Sequence, residues 1–277
     1  MFKKLLNFLF RRTPVMKVRF DRGPKTNEDK TFVFIHGIAA SYKTFKPTLD
    51  EIAKNETFKD CRIVALDLIG FGRSPHPKDW PYDFEHYNKS LFKTMRKNKI
   101  KGQVVLVGHS MGCLIAVNFA KRMIEKNKGD RIEKLVLVSP PIMKPKDLRG
   151  LPEKFMAKSY IELAKHTDTV GVLTLANFAN KISSFENKNF NTPAFRKSMD
   201  NLIVTSKTWG IIRKMRVPIT ILHGVADPLV VGSNLSDVAK MNKYIEYITA
   251  LGAHDILGAK QKKLVKILEE TAASSRL

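Results

Sequence analysis

Between a β-branched run and a helical one the chain reads VVLVGHSMGCLIAVNFA, which sets Gly108-His109-Ser110-Met111-Gly112 at the join. A sharp strand-to-helix turn needs small neighbours, and Gly108 and Gly112 let the backbone pack closely around a strained serine. Such a turn lifts the Ser110 hydroxyl out at the carboxyl end of a sheet. It also leaves the Met111 N–H at a helix N-terminus, aimed at a developing oxyanion. The bland alternative is a glycine-rich loop with an ordinary serine.

A hydroxyl is a poor nucleophile until a base takes its proton, and an imidazole base needs an acceptor to fix its tautomer. On a strand–elbow–helix scaffold the partners follow in the order serine, acid, histidine. Four of the seven histidines, His36, His76, His86 and His109, fall before Ser110. His166 lies in a helical stretch suited to a lid or to solvent, and His223 ends a strand four residues before Asp227, where it supports a loop. His254, in the small-residue turn LGAHDIL, follows both Ser110 and Asp227 and is the expected base, the alternative being a structural loop histidine. Among the later acids, Asp147, Asp168, Asp200, Asp237 and Asp255 compete with Asp227. Only Asp227 stands in a loop directly after a buried strand, with Pro228 to hold the turn. Asp255 adjoins His254 and does not fold back easily onto its neighbour's ring.

These groups need a frame. Short apolar runs recur at 15–20, 31–37, 61–68, 103–110, 133–141, 217–224 and 244–252. Several are apolar on both faces, as strands buried in a parallel sheet must be. Amphipathic stretches at 44–54, 84–98, 112–126 and 234–241 separate some of them. The alternation predicts an α/β fold: a mostly parallel central sheet with helices on both faces. From Ile142 to Arg213 no good strand appears, and helical patterns run over 155–165, 170–181 and 193–205. An interval that long is expected to be functional rather than a plain loop. The expected division is a basic amphipathic segment at 1–14, a core formed by 15–141 and 214–277, and a helical cap insertion at 142–213.

Further segments strengthen the pattern: FIHGIAAS, ALDLIGFGRS and LHGVADPLV. With the GHSMG turn they make the sequence resemble the α/β-hydrolase family, in its cap-bearing serine esterase and lipase group, from about residue 15 to 270. The resemblance implies that Ile38, after the His36-Gly37 pair, gives the second oxyanion N–H beside that of Met111. It implies structural roles for Asp67, Gly70 and Gly72 in a loop whose usual proline is Ile69, and the acid role for Asp227. The expected chemistry is acyl transfer without metal or organic cofactor: His254, oriented by Asp227, activates Ser110, and water releases the acid. Thioesters, perhydrolysis and carbon–carbon bond cleavage fit the same triad. A dehalogenase does not, since it needs a carboxylate where Ser110 stands. A ligand-binding or membrane-associated protein with a slow triad is the reading from another class. Phe155, Met156, Tyr160, Phe178, Phe195 and Met199 supply apolar surface in the insertion, for packing or for an acyl pocket.

Composition narrows the partners. The 277 residues carry a net charge of +23. Compositional bias, an anionic membrane surface and nucleic acid all account for such charge, but no nucleic-acid-binding motif accompanies it. A small-molecule acyl ester or lipid substrate is therefore expected, with no specific nucleic acid. MFKKLLNFLFRR, residues 1–12, reads as a basic helix lying on an anionic membrane. It also reads as a first strand pairing with VMKVRF, or less well as a secretory signal. Cys61 and Cys113 lie in apolar runs as reduced core thiols, which places the chain in the cytoplasm, peripheral on the membrane's inner face if the N-terminal helix binds there.

Overall fold

Along the central strands successive side chains point to opposite sides, and both sides are apolar. Val33 and Ile35 face one core while Phe32 and Phe34 face another; Val64 and Leu66 alternate with Ile63 and Ala65 in the same way. Burial on both faces fits a parallel sheet covered by helices. The computed structural model describes residues 13–26, 30–145 and 192–274. Its strands are β1 (Lys17–Arg22), β2 (Lys30–Ile35), β3 (Cys61–Asp67), β4 (Val104–His109), β5 (Ile132–Val138), β6 (Ile219–Gly224) and β7 (Ile245–Ala250). They form one sheet in the order β1-β3-β2-β4-β5-β6-β7. Only β1 runs antiparallel, against β3, and every other pairing is parallel. All seven apolar runs of the sequence are strands.

The principal helices are α1 (Lys46–Ile52), α2 (Phe84–Lys97), α3 (Met111–Glu125), α4 (Thr192–Ser198), α5 (Thr208–Ile212), α6 (Gly232–Met241) and α7 (Ala259–Ala273). Leu91 of α2, Leu114 and Phe119 of α3 and Leu235 of α6 pack on one face of the sheet. Leu49 and Ile52 of α1 and Leu264 and Leu268 of α7 pack on the other. At seven residues α1 is too short to persist alone. The burial of Leu49 and Ile52, about 2 kcal/mol each, holds it in place. Helix α2 starts where the Asp83 carboxylate accepts the His86 N–H at 2.8 Å, a side-chain cap on an otherwise unpaired donor.

Parallel pairing brings the carboxyl ends of β4, β5, β6 and β7 to one edge. The loops that leave this edge carry Ser110, Ser139, Asp227 and His254, so residues far apart in sequence meet there. Of the expected cap insertion, residues 192–204 and 208–212 are helical, with a π-helical stretch at Met199–Val204 between α4 and α5. The helical patterns at 155–165 and 170–181, and the basic segment 1–12, lie outside the described residues. Among the described residues no helix is long and apolar enough to cross a membrane.

Candidate active site

Ser110 has φ 53° and ψ −124°, a backbone conformation L-residues rarely adopt, at the junction of β4 and α3. Strain of this kind persists only where the surroundings over-determine it. The Ser110 N–H donates to the Val138 carbonyl of β5 at 2.9 Å, and the Cys113 N–H donates to the Ser110 carbonyl at 2.9 Å. The flanking glycines allow the close approach. A Cβ on Gly112 would lie 2.1 Å from the Ile35 carbonyl oxygen, and one on Gly108 would lie 2.7 Å from the Cys113 backbone. Both contacts are with main chain, so neither position has room for alanine without displacing a strand or a helix.

Met111 is the first residue of the 15-residue α3, where a backbone N–H has no carbonyl one turn earlier to bond. Ile38 follows His36-Gly37 in the loop after β2 and lines the same pocket as Ser110. His36 fixes that loop. Its Nδ1 donates to the Gly37 carbonyl at 2.7 Å, and its Nε2 accepts the Leu68 N–H at 2.9 Å. Full burial drives its pKa down, against the pull of Asp67, so the ring is a neutral strut. Asp67 is equally structural: it accepts the Tyr42 and Arg73 N–H groups and the Arg19 guanidinium.

Asp227 sits in the turn after β6, and its own carboxylate accepts the Leu229 N–H at 2.9 Å. His254 follows β7. Its Nδ1 lies 3.0 Å from Oδ1 and 2.9 Å from Oδ2 of Asp227. A carboxylate can only accept, so Nδ1 carries the proton and Nε2 keeps its lone pair, the tautomer a general base requires. Burial pushes the Asp227 carboxyl up. The hydrogen bond and charge of His254, the Leu229 N–H and the Ser139 hydroxyl outweigh it and hold the group below the usual carboxylate range. Ser110 and His254 line one pocket of about 160 Å³, with Ile38, Pro47, Ile256 and Leu257 among its walls. Asp227 lies behind His254, outside that lining.

Three neighbours were not singled out by the sequence reasoning. His109 precedes Ser110 in the chain and is not a candidate base by that order, but its Nε2 donates to the His254 carbonyl at 2.8 Å and its ring lies 5.1 Å from that of His254. Burial, followed by the nearby His254, pushes His109 down to about 3, so it stays a neutral donor. Lys260, fully buried in the first turn of α7, donates to Ser139 Oγ at 3.0 Å and to the Ala253 carbonyl. Ser139 stands just past β5 at φ 51°. A signal for Lys260 did exist: it falls on the apolar stripe of Leu264, Ile267, Leu268 and Thr271. The other histidines serve elsewhere. His223 Nδ1 meets the Tyr247 hydroxyl at 2.9 Å, His86 contacts the capping Asp83, and His76 contacts the Gly72 carbonyl. His166 lies outside the described residues.

A larger groove of about 990 Å³ runs between α2 and α3, lined by nine lysines and arginines, two glutamates and apolar residues such as Phe92 and Met123. None of Ser110, Asp227 or His254 reaches it, so size alone does not locate the chemistry.

Comparison with known proteins agrees with this architecture. The model of the "alpha/beta hydrolase fold" family matches residues 30–160. That match covers just under half of the chain, and the sheet order and helices described above are those of the alpha/beta hydrolase fold. It is 31% identical over 118 residues to a probable lysophospholipase, BODYGUARD 4 of Arabidopsis thaliana, covering 43% of this chain and 26% of that protein. The chain thus spans about a quarter of that relative's length. Among solved structures, the esterase RhEst1 from Rhodococcus sp. ECU1013 superimposes with a TM-score of 0.69 at 17% identity, over 95% of this chain and 99% of its own. The enol-lactonase from Burkholderia xenovorans LB400 does so at 0.68 and 17% identity, over 94% and 96%. At those identities the likeness is one of fold.

Proposed function

We propose that this alpha/beta hydrolase is a serine hydrolase that cleaves carboxylic esters, with Ser110 as nucleophile, His254 as base and Asp227 as its orienting acid. The observation that carries the reading is the Asp227–His254 pair: a buried carboxylate fixes the imidazole tautomer, and that imidazole shares an apolar pocket with a serine on a strained turn. In the first half-reaction His254 Nε2 takes the Ser110 proton as Oγ bonds the acyl carbon. The imidazolium is stabilised by Asp227, while the oxyanion takes the N–H groups of Met111 and Ile38. Collapse expels the alcohol, which receives the proton from His254. Water then repeats the sequence on the acyl-enzyme and frees the acid.

Ile38, Pro47, Ile256 and Leu257 offer hydrocarbon walls, which suits an apolar acyl chain, and the lysophospholipase relative makes a monoacyl lipid the favoured class. The strong positive charge favours a substrate presented at an anionic interface. The test is an acyl-chain-length series of esters and matching thioesters, assayed with and without anionic vesicles. Ester turnover that rises with chain length and with vesicles is expected. Absence of turnover on every ester, with thioesters cleaved, would replace the ester reading.

A further inference from the structure

The groove between α2 and α3 carries an excess of seven positive charges, and the chemistry uses none of them. It follows one face of α2 from Phe84 to Arg96 and one face of the second half of α3 from Asn118 to Lys126. At 14 residues α2 is roughly 20 Å long. The floor is apolar: Met95, Ile100 and Met123 are buried, and Phe84 and Phe92 are half-buried. The cations around it fall into two sets. Lys89 pairs with Glu85 at 2.5 Å, and Lys121 and Arg122 pair with Glu125 at 3.0 and 3.3 Å. Lys93 donates to the Thr13 carbonyl and Arg131 to the Ile100 carbonyl. By contrast Arg96, Lys101, Lys126 and Lys128 are exposed, and their side chains have no hydrogen-bond or ion-pair partner among the described residues. All four stand in the last turn of α2 or in the segments that follow α2 and α3. Ile124, in the last turn of α3, is 42% exposed beside them. Like charges gathered without partners repel one another, so they cost the fold stability rather than adding to it.

We propose that the α2–α3 groove is a binding site for anionic phospholipid, which tethers the protein to a membrane surface. A cationic rim over an apolar floor matches an anionic amphiphile. Free phosphate or a nucleic acid would engage the rim and leave the floor without a counterpart. A phospholipid meets both, with its phosphate on the rim and hydrocarbon on the floor. One leaflet holds about 15 Å of hydrocarbon, within the length of the groove. Lys3, Lys4, Arg11 and Arg12 have the same sign as the groove, so charge gives no ground for that segment as the occupant. An acidic amphipathic helix matches in sign too. Lipid is preferred because the proposed substrate is one, and that choice alone rests on the hydrolase reading. None of Ser110, Asp227 and His254 lines the groove, so lipid held there is an anchor and not a substrate. The attraction of each basic side chain to an anionic surface fades beyond about 8 Å at physiological salt, so cations on the other faces contribute little.

The experiment is flotation of the full chain with phosphatidylcholine vesicles, with mixed phosphatidylcholine–phosphatidylglycerol vesicles, and with single-stranded DNA as a competitor. One variant carries Arg96→Glu, Lys101→Glu, Lys126→Glu and Lys128→Glu together. A control of equal net charge reverses Lys54, Lys59, Lys214 and Lys262, which are exposed elsewhere. Wild type is expected to bind the mixed vesicles at least about tenfold more tightly than the neutral ones. The groove variant is expected to lose about a hundredfold of that binding, and the control no more than about fivefold. Phe92→Ala is expected to weaken the binding that survives high salt, since it thins the apolar floor. Equal losses in the groove variant and the control overturn the proposal, as does wild-type binding with no preference for anionic vesicles. DNA that displaces the vesicles and is itself released by the groove substitutions would overturn lipid in favour of nucleic acid. If the fourfold variant does not fold, the pairs Arg96→Glu with Lys101→Glu and Lys126→Glu with Lys128→Glu serve, and unchanged vesicle binding in both overturns the site. Vesicle binding by a chain that cleaves no ester would refute the hydrolase reading and leave the anchor standing; ester turnover without vesicle binding would refute the anchor alone.

Discussion

Ser110→Ala is expected to lose about a millionfold in kcat on any ester the wild type cleaves, because removal of the nucleophile disables His254 and Asp227 along with it. That corresponds to about 8 kcal/mol of transition-state stabilisation. The loss should fall almost wholly on kcat, since the apolar pocket walls and the N–H groups of Ile38 and Met111 remain to bind substrate. The side chain is small and sits on a turn held by main-chain bonds to Val138 and Cys113. Thermal unfolding should therefore change little, and steady-state kinetics on the folded variant check the expectation. A variant that retains a tenth of wild-type activity would mean that the chemistry does not pass through Ser110.

Asp227→Asn is expected to cost about ten-thousandfold in kcat, or about 5 kcal/mol, with little change in shape. The physical cause is a mismatch of donors. The native carboxylate accepts from His254 Nδ1 and from the Leu229 N–H. An amide offers one oxygen and an NH2 group in place of two oxygens, so one of the two accepting positions becomes a donor. Whenever the amide N–H faces His254, the ring must place its proton on Nε2 and can no longer take one from Ser110. The variant should also be less stable near neutral pH. The carboxyl of Asp227 is held below its ordinary range, so it contributes stability above the unfolded carboxylate pKa that is lost as pH falls through the folded value. Pre-steady-state kinetics on Asp227→Asn should show slowed acylation rather than weakened binding.

The parts legible in the sequence were those whose physics is local or ordered along the chain. Seven apolar runs became seven strands; in the inner strands burial on both faces leaves a continuous apolar signature, while β1 and β7 lie at the edges of the sheet. Ser110 stood out because the strand, the turn glycines and the helix lie within a few residues of it. Asp227 and His254 were reached by chain order, which works because parallel strands deliver their following loops to one edge. Lys260 and Ser139 were missed for a different reason. Their roles depend on an encounter between α7 and the ends of β5 and β6, and among the clustered lysines at 260, 262, 263 and 266 only the helical period sets Lys260 apart. His109 was passed over because it precedes Ser110 in the chain. Its ring reaches the His254 carbonyl, a contact created by tertiary packing.

The central claim is that the hydroxyl of Ser110 is activated by His254. Its most direct test is covalent labelling of the purified chain with a fluorophosphonate, read by intact mass and peptide mapping. The account predicts one adduct, located on Ser110, formed rapidly in wild type and greatly slowed in His254→Ala. Ester hydrolysis that proceeds at full rate while Ser110 stays unmodified, or labelling as fast in His254→Ala as in wild type, would contradict it.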